Sequence, residues 1–328
     1  MTIAVIYHYY ELNETYKENF VFFLNTSIVN GIEYFFYISG SCSVELPNLP
    51  NAQYKNIENK NNDYGGLVEF YKNKKSLDFE TYIFINSSVR GPFLPSYYLS
   101  NWYDLFTSRL SDRVAMVGSS INLLPSENFQ TNLFSEKFNH FNPPYIHVQT
   151  AAYALSSDGF QVLIDNNFFN VTEVLNKNDV VSSYEILLSQ LLLHNGFSIA
   201  SILSTYEEFS LSKKDVKFPG TTKDGDPLFK SAFYGRTLSP YECVFIKTNR
   251  DLISDKELAS YTFTSLIRND VGGFLTKDGS NLFQKAAEKS NVLSKIITNE
   301  ILPPFIVKNA RKGLFFYFKE YTRSKKHK

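Results

Sequence analysis

Polar and charged side chains gather in short clusters along this chain, most of them where an apolar run ends. Tyr82-Ile-Phe-Ile85 runs straight into Asn86-Ser87-Ser88-Val89-Arg90-Gly91-Pro92. A buried strand ending this way sets an amide, two hydroxyls and a guanidinium at the carboxyl end of a sheet, where open α/β sheets bind ligands. Arg90 is the strong cation of that segment and could pair with a diphosphate through its planar fork. Tyr7-His8-Tyr9 closes the first apolar run. Aromatic rings there could stack on a base, or simply pack a sheet edge. Asn61-Asn62-Asp63-Tyr64-Gly65-Gly66 offers a carboxylate for a ribose or sugar hydroxyl, with glycines that let backbone approach closely. An N-cap followed by a helix accounts for the same residues.

Further clusters lie downstream. Gly118-Ser119-Ser120-Ile121-Asn122 follows the apolar Val114–Val117, and His147-Val148-Gln149-Thr150 sits inside an apolar run. Strand alternation places His147 and Gln149 on one face. A histidine on a strand is either a hydrogen-bonded structural group or a base. Tyr184-Glu185 stands near a helix start, where a carboxylate could remove a proton or merely favour the helix dipole. Ser239-Pro-Tyr-Glu242 and Lys247-Thr-Asn-Arg250 flank an apolar Val244-Phe-Ile246 strand, with charges at its end.

Other chemistries lack their residues. His8, His140, His147, His194 and His327 form no HxxxH pair, and Cys42 and Cys243 lie far apart, so a zinc site is not expected. Tyr7-His8-Tyr9-Tyr10 stands where a Gly-rich phosphate loop would follow the first strand. No G-x-S-x-G elbow occurs.

The elements that must position these clusters alternate. Ile3–Tyr9, Glu33–Ile38, Tyr54–Ile57, Tyr82–Ile85 and Val114–Val117 read as strands. Asn13–Ile28, Tyr64–Tyr71 and Trp102–Leu110 read as helices. Ile146–Leu155 reads as one strand, capped by Ser156-Ser157-Asp158 into a helix. Ser182–Asn195 reads as a helix closed by Gly196, and Ile199–Leu203 as a strand. Ser210–Leu228 is polar with Pro-Gly and Asp-Gly turns and reads as a mobile loop. From Asp251 the chain reads as helical. This order predicts an α/β fold: a single Rossmann-type domain with a mainly parallel central sheet over residues 1–250, followed by a helical C-terminal extension over 251–328.

Bulk composition narrows the partners. The 328 residues carry 33 basic and 33 acidic side chains, so no net field draws the chain to nucleic acid. With 30 Phe and 22 Tyr, the core is aromatic and sizeable. Two distant cysteines suit a reducing compartment. Met1-Thr-Ile-Ala-Val-Ile-Tyr7 has neither the basic start nor the long apolar run of a signal peptide, and no run reaches membrane-spanning length. A cytoplasmic protein is expected. Its tail from Pro303 differs: Phe305–Lys328 holds eight Lys or Arg against one Glu, interleaved with aromatics. Such a segment suits an anionic membrane surface, placing the protein peripherally at the inner face of the plasma membrane. A terminal helix docked on the body with a solvated basic end is the other reading.

Taken in order, Asn86-Ser-Ser-Val-Arg-Gly-Pro-Phe93, Met116-Val-Gly-Ser-Ser-Ile-Asn122, His147-Val-Gln-Thr150 with Ala154-Leu-Ser-Ser-Asp158, and Tyr241-Glu-Cys-Val-Phe-Ile-Lys-Thr-Asn-Arg250 resemble the motifs of bacterial capsular-polysaccharide sugar transferases, such as those of Campylobacter capsule clusters. Asn59-Lys-Asn-Asn-Asp63 resembles the Asn-x-Gly-x-Asp motif of rhamnan-synthesis glycosyltransferases of the GT-A type, with Asn61 where that motif has Gly. The resemblance spans roughly residues 1 to 250. It implies a GT-A-like fold, a nucleotide-sugar donor, a growing capsule saccharide as acceptor and transfer of a hexosyl type.

On this basis Tyr7, His8, Asp63, Gly65, Asn86, Ser87, Ser88 and Arg90 are expected to bind the nucleotide sugar. Ser119, Ser120, Gln149 and Asp158 are expected to bind the acceptor, and Glu185 or, second, His147 to act as base. GT-A enzymes commonly hold Mn²⁺ or Mg²⁺ on an Asp-x-Asp at the central strand end. Here Asn86-Ser87-Ser88 stands there, and neutral oxygens bind such ions weakly. Metal-independent transfer is therefore expected, unless the ion is held elsewhere. Two other readings compete: transfer of a phosphoramidate or phosphoryl group onto a capsule sugar, and a non-catalytic saccharide-binding protein of capsule assembly.

Overall fold

A computed structural model describes residues 1–73, 78–205, 208–211, 225–269 and 274–291. The first half alternates much as the apolar pattern requires: β1 (Ile3–Tyr10), α1 (Glu14–Thr26), β2 (Glu33–Ser39), β3 (Ala52–Ile57), α2 (Tyr64–Asn73) and β4 (Thr81–Asn86). Asn13 starts α1 by accepting from the Tyr16 amide at 3.1 Å, the usual N-cap device. Next come β5 (Val89–Arg90), α3 (Asp104–Thr107), β6 (Val114–Gly118), β7 (Ile121–Leu123), α4 (Phe129–Lys137), β8 (Ile146–Val148), β9 (Ala152–Ser156) and α5 (Ser157–Asp165).

Asn176 then caps α6 (Lys177–Val180), which continues through a π-helical turn (Val181–Ile186) into α7 (Leu187–His194). The remaining elements are β10 (Ser198–Ser201), α8 (Pro240–Cys243), β11 (Ile246–Lys247), α9 (Asp255–Asn269) and α10 (Lys277–Lys289).

Seven strands form the central sheet in the order β10-β6-β9-β4-β1-β2-β3. All neighbours are parallel except β9, which runs antiparallel to both β4 and β6. The β3-β2-β1-β4 half has the Rossmann order, and the fold is the α/β domain with a mainly parallel central sheet that the sequence leads one to expect. Aromatic layers cover both faces. Phe20, Phe23 and Phe36 pack around Tyr7 on the α1 side, and Phe70, Tyr82 and Phe160 pack on the α2 and α5 side. The helices α9 and α10 lie over α1, where Arg268 donates to the Leu94 and Pro95 carbonyls at 3.0 and 2.7 Å.

Two expectations change. The strand foreseen over Ile146–Leu155 is broken at Gln149–Ala151, because the Gln149 side chain accepts from the Ala151 amide at 2.8 Å and turns the chain. Its halves join different sheets: β8 pairs with β7, and β9 enters the centre. The helix foreseen over Trp102–Leu110 is regular only over Asp104–Thr107. Most of the loop expected over Ser210–Leu228, and the basic aromatic segment Pro303–Lys328, lie outside the described residues. Among the described residues no helix is long and apolar enough to cross a membrane, and Cys42 and Cys243 are both free.

Candidate active site

Because six strands point the same way, their carboxyl ends share one rim, and a cleft of about 760 Å³ opens there. His8 from β1, Asp63 before α2, and Asn86, Ser87 and Ser88 after β4 line it. Since β9 is antiparallel it begins at this rim, so His147, Gln149 and Thr150 line the cleft as well. Glu185, in the π-helical turn, closes one side.

The floor is tightly bonded. Asn86 Nδ2 donates to Asp63 Oδ2 at 2.9 Å, and Asn86 Oδ1 accepts from the Ser88 amide at 3.0 Å and hydroxyl at 2.5 Å. The Ser87 hydroxyl is held by the backbone of Tyr10, donating to its carbonyl and accepting from its amide, both at 3.1 Å. Burial, and behind it the Glu185 carboxylate, push Asp63 up to about 6, against the Asn86 hydrogen bond. Burial also raises Glu185, with Lys247 opposing and Asp226 adding to the rise. Among the described residues the Glu185 carboxylate makes no hydrogen bond or ion pair.

The two cleft histidines are committed. His8 Nε2 lies 2.7 Å from the Ser39 hydroxyl, and burial lowers its ring to about 4, so it is neutral. His147 Nδ1 lies 3.1 Å from the Tyr145 carbonyl, so it carries the proton, and Nε2 faces the Asn122 amide at 3.4 Å. Both ring nitrogens of His147 have neighbours, whereas Glu185 has an open carboxylate.

Five other positions expected in the site, and a sixth in its shadow, lie elsewhere. Arg90 is 3% exposed. Alternation along β5 turns it away from the rim and under α1, where it meets Glu18 at 2.7 Å, Asn19 Oδ1 at 2.9 Å and the Thr262 hydroxyl at 3.2 Å. Tyr7 points to the α1 face by the same period of two that turns His8 toward α2. Ser119 and Ser120 are buried, and neither lines the cleft. Asp158 is exposed in the first turn of α5, at the opposite rim, because β9 has carried the chain across the sheet. Gly65 packs on backbone: a Cβ there would lie 2.4 Å from the Lys60 carbonyl. The freedom from a side chain that the Gly65-Gly66 pair offers serves internal packing, since a Cβ on Gly66 would stand 2.9 Å from the His8 ring.

In place of Arg90, β11 and the turn after it bring Lys247 and Arg250 to the cleft, which Lys177 of α6 also lines. Pairing of β11 with β5 sets Lys247 opposite Val89, and the Thr248 amide donates to the Ser88 carbonyl at 3.0 Å. Arg250 is fixed by Asp226 at 2.7 Å and the Leu228 carbonyl at 2.9 Å, and lies 3.9 Å over the Phe229 ring. Burial and the Arg250 charge lower the Lys247 ammonium, while Glu185, Asp226 and Asp63 act the other way. Charges at the end of Val244–Ile246 are visible in sequence, but the pairing that brings them beside Asn86–Ser88 is not. Among the described residues no three His, Cys, Asp or Glu side chains converge to hold a metal ion.

No family model matches this sequence, and no curated protein is similar to it. A solved structure titled as the apo form of the WbbM bifunctional glycosyltransferase is similar at 8% identity with a TM-score of 0.40. The likeness covers 87% of this chain and 51% of that one, so the chain spans about half that protein's length.

Proposed function

We propose that this chain is a glycosyltransferase that binds a nucleotide-sugar donor in the cleft and passes the sugar to a capsular or other cell-surface saccharide. One observation carries the proposal: an open carboxylate, Glu185, shares a cleft at the carboxyl rim of the sheet with two cations, Lys247 and Arg250. The motifs in Asn59–Asp63, Asn86–Phe93 and Tyr241–Arg250 support the same chemistry by resemblance. The nucleoside lies toward Tyr10, Tyr16 and the Asp63–Asn86 pair, and the diphosphate toward Lys247 and Arg250. The acceptor approaches past Asn122, His147 and Gln149. Its oxygen forms a bond to the anomeric carbon as the bond from that carbon to the diphosphate oxygen breaks, and the electron pair leaves with the diphosphate. Glu185 takes the acceptor proton. A carboxylate raised above its ordinary range is a better base for this.

The test is a thermal-shift screen of the full chain against UDP, GDP, CDP and their sugars, followed by assay of nucleoside diphosphate release on a saccharide acceptor. At least one nucleotide should stabilise the fold, and Glu185→Gln should bind it normally but turn over about 10²–10⁴-fold more slowly. If no nucleotide or nucleotide sugar stabilises the protein, glycosyl transfer from such a donor is excluded. The segment Pro303–Lys328 would bring the cleft to an anionic membrane surface. Loss of vesicle co-sedimentation on deleting it tests that part.

A further inference from the structure

The strand end where GT-A enzymes commonly hold a divalent ion is chemically unlike such a site. Each side-chain oxygen of Asn86, Ser87 and Ser88 is already in a hydrogen bond within the floor, and one oxygen of the nearby Asp63 is taken by Asn86. Hard divalent ions need several oxygen ligands, carboxylates foremost. The residues at this strand end do not supply them. What the fold brings there is an ammonium.

Resting on the nucleotide reading above, we infer that Lys247 takes the place of the divalent ion, so that the cleft binds a nucleoside diphosphate without metal. Three observations support the exchange. The register Lys247↔Val89 sets Lys247 just beyond the Asn86–Ser88 turn. The segment is clamped from two sides: Thr248 bonds the Ser88 carbonyl through its amide and hydroxyl, at 3.0 and 3.1 Å, and Asn19 Nδ2 donates to the Thr248 hydroxyl at 2.7 Å and the Ser87 carbonyl at 2.9 Å. Finally, among the described residues the Lys247 ammonium has no hydrogen bond or ion pair, although it lines the cleft and is only partly exposed. Its neighbour Arg250 is tied through Nη1 to Asp226 and to the Leu228 carbonyl. A partly desolvated cation with free donors gains most from an incoming anion. A metal ion placed beside it would meet like charge.

The experiment is calorimetric titration of the full chain with UDP, GDP and CDP, in EDTA and again in Mn²⁺. At least one diphosphate should bind in EDTA, with an affinity within about threefold of that in Mn²⁺. Lys247→Met should weaken binding in EDTA by roughly tenfold or more, the worth of one charge-assisted hydrogen bond, while Lys247→Arg retains most of it. The ligand-free melting temperature of Lys247→Met should not fall, which separates lost binding from lost folding. A gain of more than about threefold on adding Mn²⁺ (more than about 0.65 kcal/mol) overturns the inference and leaves the nucleotide reading intact, as does wild-type affinity in Lys247→Met. Absence of binding under both conditions overturns the nucleotide reading, and this inference with it.

Discussion

Asn86 Nδ2 donates to Asp63 Oδ2 at 2.9 Å, tying the end of β4 to the start of α2 across the cleft floor. The bond is made to a carboxylate that the surroundings disfavour. Asp63 stands at about 6 in the folded chain against an ordinary 3.8. A raised acid binds its proton more tightly when folded, so the fold is relatively most stable below the ordinary value. It loses that stability as pH climbs through about 6.

Asp63→Asn should therefore stabilise the protein at pH 8, by roughly 1–3 kcal/mol after allowing for the solvent that reaches the cleft. The gain should vanish near pH 3, below the ordinary value, where both side chains are neutral in the folded and the unfolded chain. Urea denaturation of both proteins at the two pH values measures the difference. A gain that does not depend on pH would show that the charge carries no cost.

Asn61 connects the two carboxylate-bearing elements. Its amide donates to the Glu173 carbonyl at 2.9 Å, and its side-chain oxygen accepts from the Leu175 amide at 2.7 Å, just before the helix that carries Glu185. Its φ is +56°, where Gly and Asn are tolerated best. Asn and Gly both suit such a left-handed turn. Asn61→Gly should cost about 1–2 kcal/mol for the two lost bonds. Asn61→Ala should cost about 1 kcal/mol more for the strained backbone. Chemical denaturation ranks the three proteins, and equal stability of the Gly and Ala variants would contradict the strain.

Arg90 and Glu18 form a buried pair beneath α1. Burial works against the Glu18 carboxylate, but Arg90 and Lys285 outweigh it and hold its pKa below the ordinary value. Arg90→Met should destabilise the fold by roughly 2–4 kcal/mol, because it leaves Glu18 with Lys285 alone as its cation and Asn19 Oδ1 without its donor. The double variant with Glu18→Gln should recover part of that loss. Nucleotide affinity of the folded protein should change little. A large loss of affinity with intact stability would return Arg90 to the cleft.

With Glu185 as the proposed base, its carboxyl should set the pH dependence of turnover. Its carboxyl is raised by burial first, so the acidic limb of kcat/KM should fall above the ordinary Glu value of about 4.3. Activity drops as pH falls through that limb and the base is protonated. The residual activity of Glu185→Gln should lack the limb. Its persistence would assign the titration to another group.

Much of the frame was legible in the residues. Apolar runs ending in polar clusters marked β1, β2, β4 and β6, and the clusters at His8, Asp63, Asn86–Ser88, His147 and Gln149 do meet at one cleft. What was illegible is long-range. Arg90 looks like a rim cation until the two-residue β5 turns it inward. Lys247 reaches the rim only because β11 pairs with β5. That pairing needs Gly91, where a Cβ would lie 2.5 Å from the Val244 carbonyl. Asp158 fails for a topological reason: nothing local tells that β9 runs against its neighbours.

The π-helical turn at Val181–Ile186 has a consequence for how this cleft could change. Each residue advances an α-helix by about 100°, and a π turn holds one residue in excess of the regular count. Removing a single residue from Val181–Ile186 would let the helix relax to uniform winding and swing Lys177 and Val180 about a quarter-turn around the axis relative to Leu188 and Leu192. One codon lost there would re-aim a whole wall of the cleft while leaving the hydrophobic anchor of α7 seated where it is.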